Sequence, residues 1–398
     1  MKTISPEEVG LSSERLNRIN LAMQKYVDQG QLSGIITLVA RQNKIAHFNV
    51  IGKRDIESNL PMEANTIFRI YSMTKPIVSI AMMMLYEEGR FHLTDSVSDY
   101  IPQFENLKVL VKQGYDGLEL TDPARPMTIR DLFIHTAGLS YGFHGDSIID
   151  HMYRKNQVLS RDITLEEMIR RIAEIPLVHH PGTYWRYSVA TDVLGYLVQV
   201  ISGQTLESYL AEKIFAPLGM TETGFHVPAE IAHRFASNYG PCEDGTIEVI
   251  DKATESAYLS PPQCASGGGG LVSTTADYFN FCQMLLNQGR FDGTQLVSKK
   301  TMELMTCNHL TPNLMPIHIG NNLIHGYGFG LGFSVMVDTA QAQILASQGS
   351  YGWAGAAYTH FWIDPQEELV GLFMTQFMQS EYKAVPDFRV ATYQSIIE

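Results

Sequence analysis

The sequence predicts an α/β protein of the α+β type, in which strands from both ends of the chain form one antiparallel sheet flanked by helices, with a large, mostly helical lobe inserted between them. Three observations lead there. Strand-length apolar runs lie near the two termini, and the long middle carries segments of helical period. One of these, Pro76-Ile-Val-Ser-Ile-Ala-Met-Met-Met-Leu-Tyr86, is apolar almost all round and so reads as a buried helix.

Residues Ser12 to about Gln29 have the pattern of an opening helix. Ile35-Ile-Thr-Leu-Val-Ala40 and Ile45-Ala-His-Phe-Asn-Val-Ile51 follow, split by the polar Arg41-Gln-Asn-Lys44, which is the pattern of a β-hairpin. From Ser72 to about residue 285 the signals are mostly helical, as in Leu165 to Ile175, Val189 to Ile201 and Ala276 to Asn287, with irregular connections rich in Gly, Pro and Tyr. Strands return in Gly332-Phe-Ser-Val-Met-Val337, Ala356-Ala-Tyr-Thr-His-Phe-Trp-Ile363 and Leu369-Val-Gly-Leu-Phe-Met374, before a terminal helix. The expected division is an α/β domain from residues 1–71 and 286–398 and a helical lobe from 72–285. A ligand cleft is expected where the two meet.

With 45% hydrophobic and 18% charged residues in 398, the chain has the composition of an ordinary globular protein. A formal charge of −13 argues against nucleic acid or an anionic membrane as partner. The N-terminus lacks the apolar core of a signal peptide and no stretch reaches the roughly 18 apolar residues of a membrane span, so a cytoplasmic protein is expected. Cys242, Cys264, Cys282 and Cys307 are widely spaced and read as reduced, structural thiols. His179-His180, His318 and His325 lack metal-ligand spacing, and no metal or cofactor is expected.

Ser72 and Lys75 are the leading catalytic candidates. On a helix, residues three apart share a face, so the amine reaches the hydroxyl. Pro76 is tolerated only in a first helical turn, which places the pair at the N-terminal end of the buried helix, where the partial positive charge favours an anionic oxygen. A second Ser-x-x-Lys, Ser380 to Lys383, has no apolar helix behind it and reads as a solvated loop. Gly138-Leu-Ser140-Tyr-Gly142 matches the Gly-x-Ser-x-Gly pattern, yet Thr128 to Thr136 reads as a helix stopping at Gly138, whereas a nucleophile elbow needs a strand there. Its neighbour Tyr141 is expected to line the cleft. Ser266 to Gly270 lacks the Lys of a phosphate loop and is expected to pack closely under the site.

Two further segments are notable. Tyr187 stands just before a helix, after a Pro181-Gly182 turn, and Trp353-Ala-Gly355 leads into a late strand. With Phe68-Arg-Ile-Tyr-Ser-Met-Thr-Lys75, Arg130-Asp-Leu-Phe-Ile-His-Thr-Ala-Gly-Leu139, Tyr187-Ser188, Ser266-Gly-Gly-Gly-Gly-Leu-Val-Ser273 and Trp353-Ala-Gly355 in this order, the chain resembles the serine β-lactamase and penicillin-binding-protein superfamily. It is most similar to the class C-like branch and, within it, the family VIII carboxylesterases. The resemblance implies a β-lactamase/transpeptidase-like fold, a Ser72 nucleophile, Lys75 and Tyr187 sharing proton transfer, and an oxyanion hole from the backbone N–H groups of Ser72 and Ala356.

Two departures bear on substrate. The superfamily's Tyr-x-Asn reads Tyr187-Ser188-Val189, and its Lys-Thr-Gly is replaced by Trp353-Ala354-Gly355, so the amide and the cation that would hold a β-lactam are missing. Charge-assisted bonds worth roughly 1.5–3 kcal/mol each are lost to a carboxylate there. The expected partner is therefore a small-molecule ester with a short acyl group, bound against Trp353, Gly355, Tyr141 and Val189. A β-lactamase or D-Ala-D-Ala peptidase, or an acyltransferase on the same machinery, is the alternative.

Overall fold

The computed structural model describes all residues except Tyr115, Asp116, Asp244, Asn321 and Glu398. Among the described residues, eight strands form its main sheet: β1 (Gly34–Arg41), β2 (Lys44–Asp55), β3 (Leu60–Pro61), β4 (Tyr327–Phe329), β5 (Ser334–Met336), β6 (Tyr351–Ala354), β7 (His360–Asp364) and β8 (Leu369–Met374). Their order is β4-β5-β6-β7-β8-β1-β2-β3, antiparallel throughout. The N- and C-terminal halves of the sheet join where Ile36 lies opposite Met374 and Ala40 opposite Val370.

The central strands are continuously apolar because both faces are covered. Successive side chains point to opposite sides, so Ile36, Leu38, Phe361, Ile363, Leu372 and Met374 enter the larger core. Ile35, Val39, Trp362 and Phe373 enter a second cluster with Ile19, Met23 and Phe388. The latter three come from helices α1 (Arg18–Asp28) and α6 (Ala384–Tyr393). The opening helix expected from Ser12 is interrupted at Asn17, which caps a short first piece, Ser13–Leu16.

Between these ends lie α2 (Thr74–Glu87), α3 (Leu165–Ala173), α4 (Ala190–Ser202) and α5 (Thr275–Leu286). All of α2 from Thr74 to Met83 is buried, which is why its sequence shows no polar face. It packs on α4. The boundary expected near residue 285 falls in the last turn of α5, which packs on β7 and β8.

The late strands differ from expectation. Five rather than three are present, because β4 and β6 are short and carry Gly328 and Gly352, which read as punctuation rather than strand. The strand expected over Ala356–Ile363 begins only at His360. Residues 355–359 form a turn closed by the Gly355 N–H donating to the Thr359 carbonyl at 2.8 Å, with Tyr358 at φ 64. Short ladders in the middle also escaped the sequence reading: Val109–Gly114 with Gly117–Thr121, and Asn238–Pro241 with Ile247–Asp251.

His47 on β2 is expected to make stability pH-dependent. It is 8% exposed, with Nε2 2.8 Å from Thr37 Oγ1, and burial lowers its pKa from 6.5 to about 4. Between those values the unfolded chain binds the proton and the folded chain does not, so this contribution is whole above pH 6.5 and is lost as pH falls toward 4. Urea unfolding of wild type should lose stability across that window more steeply than His47→Gln, by on the order of 1–3 kcal/mol. Parallel pH curves for the two proteins would contradict the assignment.

Candidate active site

The chain enters α2 through a single tight turn, Tyr71–Met73, in which Tyr71 takes φ 41. Such a conformation is costly for a non-glycine residue and needs its surroundings to hold it. Tyr71 is held at its hydroxyl, which accepts from Asn238 Nδ2 at 3.2 Å, and at its ring, which meets Tyr258 edge-on at 6.4 Å. Ser72 follows, half-buried. Pro76 is the third residue of α2, where a missing N–H breaks no intrahelical bond.

Lys75 is 1% exposed. Its Nζ donates to the Gly268 carbonyl at 2.6 Å, to Tyr141 Oη at 2.7 Å and to Ser72 Oγ at 3.4 Å. None of these three partners is a carboxylate. The face of the Tyr187 ring lies 4.6 Å away.

Two segments bring the tyrosines together. The run His180–Tyr187 lies beside 135–140, with the Gly182 N–H on the Thr136 carbonyl, the Arg186 N–H on His135 and the Val189 N–H on Ser140. Tyr141 and Tyr187 therefore meet with centroids 5.3 Å apart, their rings tilted by 39°. Tyr187 Oη accepts from Trp353 Nε1 at 3.3 Å. The phenol bonded to Lys75 is that of Tyr141, and Tyr187, expected to share proton transfer with Lys75, presents its ring to Lys75 and its oxygen to Trp353. Burial, then Tyr187 and Asp192, hold the Tyr141 phenol well above its ordinary pKa, so it keeps its proton.

Trp353 and Ala354 end β6, and Gly355 passes close to the backbone ahead of Ser72. A Cβ on Gly355 would lie 2.5 Å from the Ile70 carbonyl oxygen and 2.2 Å from Thr359 Oγ1. Only glycine fits. This approach brings Ala356 and Ser72 onto the wall of one cavity of about 1070 Å³. Tyr141, Tyr187, Trp353 and Gly355 line the same cavity. Val189 does not: its side chain is fully buried in the core, so the position expected to touch substrate instead caps α4.

The Ser266–Gly270 turn packs under the site. A Cβ on Gly268 would meet Asp192 Oδ2 at 2.3 Å and Tyr141 Oη at 2.7 Å. Asp192, to which the sequence analysis assigned no role, accepts the Gly268 N–H at 2.9 Å and the Ser266 hydroxyl at 2.5 Å through Oδ1. It thereby aims the Gly268 carbonyl at Lys75. Burial raises the Asp192 pKa, opposed by Lys75 and these two bonds.

Ser140 lies elsewhere. Fully buried, it bonds Asp150 Oδ1 and accepts from Arg186 Nε at 2.9 Å, and Arg186 forms a bidentate pair with Asp146. Among the described residues no imidazole is hydrogen-bonded to it, and the helix before it, Ile129–Phe133, is not the strand an elbow needs. The other Ser-x-x-Lys copy is split, with Ser380 at the edge of the cavity and Lys383 exposed. Arg161 also reaches the cavity, unmarked by any motif spacing. Among the described residues no group of three or more His, Cys, Asp or Glu is placed to hold a metal ion, and no helix is long and apolar enough to cross a membrane.

Residues 19–394 match the family model described as Beta-lactamase. Protein Rv1367c of Mycobacterium tuberculosis is 36% identical over 360 residues, 89% of this chain and 88% of that one. Esterase EstB of Burkholderia gladioli is 27% identical over 385 residues, 92% and 91% of the two chains. Among solved structures EstCE1, described as a hydrolase with promiscuous acyltransferase activity, aligns with a TM-score of 0.82 at 26% identity, covering 96% of this chain and 99% of its own.

Proposed function

The chain belongs to the beta-lactamase family, and from that premise we propose that it is a serine carboxylesterase of the family VIII type, cleaving acyl esters through a covalent acyl-Ser72 intermediate. One observation carries this reading. Ser72, bonded to Lys75, lines a cavity whose wall also carries Trp353, bonded to Tyr187, at the motif position where the resemblance would place a carboxylate-binding lysine. The likeness to proteins named Esterase EstB and EstCE1 supports it.

In the proposed reaction Lys75 takes the Ser72 proton as Oγ attacks the ester carbonyl. The N–H groups of Ser72 and Ala356 hold the resulting oxyanion. As the tetrahedral intermediate collapses, the alcohol leaves with a proton passed from Lys75 through the adjacent phenols, Tyr187 and Tyr141. Water repeats the sequence on the acyl-enzyme and releases the acid. An alcohol admitted in place of water would carry the acyl group away, and the description of EstCE1 supports transfer as a variant of the same chemistry.

Substrate preference tests the proposal. On one preparation, kcat/KM for p-nitrophenyl acetate or butyrate should far exceed that for a penicillin and a cephalosporin. Weak cephalosporin cleavage is compatible with it, because the same machinery attacks any strained acyl group that fits. A β-lactam preferred by tenfold, about 1.4 kcal/mol of transition-state discrimination, would replace the esterase by a β-lactamase.

A further inference from the structure

Resting on the esterase reading for where the scissile bond lies, we propose that the cavity contains an anion subsite centred on Arg161, which takes a carboxylate carried by the substrate at a distance from its ester. Among the described side chains lining the cavity, Arg161 is the one with a permanent charge; the others are aromatic, aliphatic, hydroxyl, thiol, thioether, amide and imidazole groups. A guanidinium at such a wall is costly to desolvate, so a binding partner compensates for its presence.

The protein supplies only neutral partners, the Tyr258 side chain among them. Arg161 Nη2 donates to the Phe225 carbonyl at a long 3.4 Å, and the guanidinium carbon lies 4.1 Å over the Tyr258 ring. Among the described residues no carboxylate lies within ion-pair distance, although the chain has 42 Asp and Glu against 29 Lys and Arg. Arg161 is half-buried; the fully buried Arg69 and Arg186 by contrast are paired, Arg69 with Asp251 and Arg186 with Asp146 and Asp150. A planar guanidinium has five N–H donors, more than these contacts use, and the remaining ones can grip a two-oxygen anion.

The subsite is also held in place relative to the nucleophile. The Arg161 carbonyl accepts the N–H groups of Gln263 and Cys264 at 3.0 and 3.2 Å, fixing it just ahead of the turn whose Gly268 holds Lys75. The Tyr71 ring meets Tyr258 edge-on at 6.4 Å, and Ser72 is the next residue. Contacts from guanidinium to hydroxyl thus run through two aromatic residues. A carboxylate adjacent to the scissile carbonyl falls short of Arg161, and one several bonds further along the chain reaches it.

The probes are mono-p-nitrophenyl adipate, pimelate and suberate, each beside its methyl-capped diester; shorter diacids are avoided because their own carboxylate attacks the ester. In wild type the free-carboxylate ester should exceed its capped partner in kcat/KM by tenfold or more at one of these lengths. Arg161→Met should bring that ratio to one or below, and Arg161→Lys should retain part of it. Both members of a pair are turned over by the same sample, so loss of folded protein cancels in the ratio. A ratio indifferent to residue 161, or a wild-type preference for the capped ester at every length, overturns the subsite. If wild type hydrolyses none of these esters nor p-nitrophenyl butyrate, the esterase reading fails instead. Calorimetric binding of the same pairs then decides the subsite alone: tenfold tighter binding of the free carboxylate upholds it and equal binding overturns it.

Discussion

Ser72→Ala is expected to lower kcat/KM for p-nitrophenyl butyrate by roughly a thousandfold or more, with circular dichroism and thermal midpoint close to wild type. The hydroxyl makes one contact of note, the 3.4 Å bond to Lys75, and is half-exposed to the cavity, so its loss removes the nucleophile and little packing. Ser140→Ala should do the reverse. Its hydroxyl lies between Asp150 and Arg186 in the core, and removing it destabilises a buried charged network while sparing the acyl-transfer step. A Ser140→Ala enzyme that is folded but inert, beside an active Ser72→Ala, would reverse the assignment of the nucleophile.

Lys75→Met should be nearly as damaging as Ser72→Ala. Methionine fills a similar buried volume, but the Ser72 hydroxyl then has no base, and the Gly268 carbonyl and Tyr141 Oη lose their donor. The two losses should not add: the double variant Ser72→Ala/Lys75→Met is expected to be no slower than the worse single one, since residues acting as one unit fail together. Stopped-flow mixing of Lys75→Met with p-nitrophenyl butyrate should show no burst of p-nitrophenol. A full burst followed by slow turnover would confine Lys75 to deacylation.

What could be read from the chain alone divides along physical lines. Ser72 and Lys75 were visible because their relation is local, three residues on one helix, and because α2 is buried all round and so announces its place. The hairpin β1–β2 was visible for the same reason. Tyr187 and Trp353 were visible through the order of their motifs. Contacts between segments distant in sequence were not. The Tyr141–Lys75 bond spans 66 residues, and Asp192 reaches Gly268 across 76. Arg161 belongs to no motif at all and matters only because its loop is tied to Gln263 and Cys264. Val189 misled for a different reason: a residue standing where a motif has asparagine need not keep the asparagine's exposure, and its backbone N–H, serving Ser140, decides where it sits. The glycines of β4 and β6 hid two strands because short paired segments carry too little side-chain pattern to outweigh them.

The central claim, a covalent acyl-enzyme on Ser72, is tested most directly by mixing the protein with p-nitrophenyl butyrate, quenching in acid within the first turnover, and mapping the adduct by mass spectrometry of proteolytic peptides. A butyryl group on the peptide containing Ser72, retained in Ser140→Ala and absent from Ser72→Ala, is the predicted result. A butyryl group on Ser140 or Ser380, or steady turnover with no covalent adduct under the same quench, would contradict it.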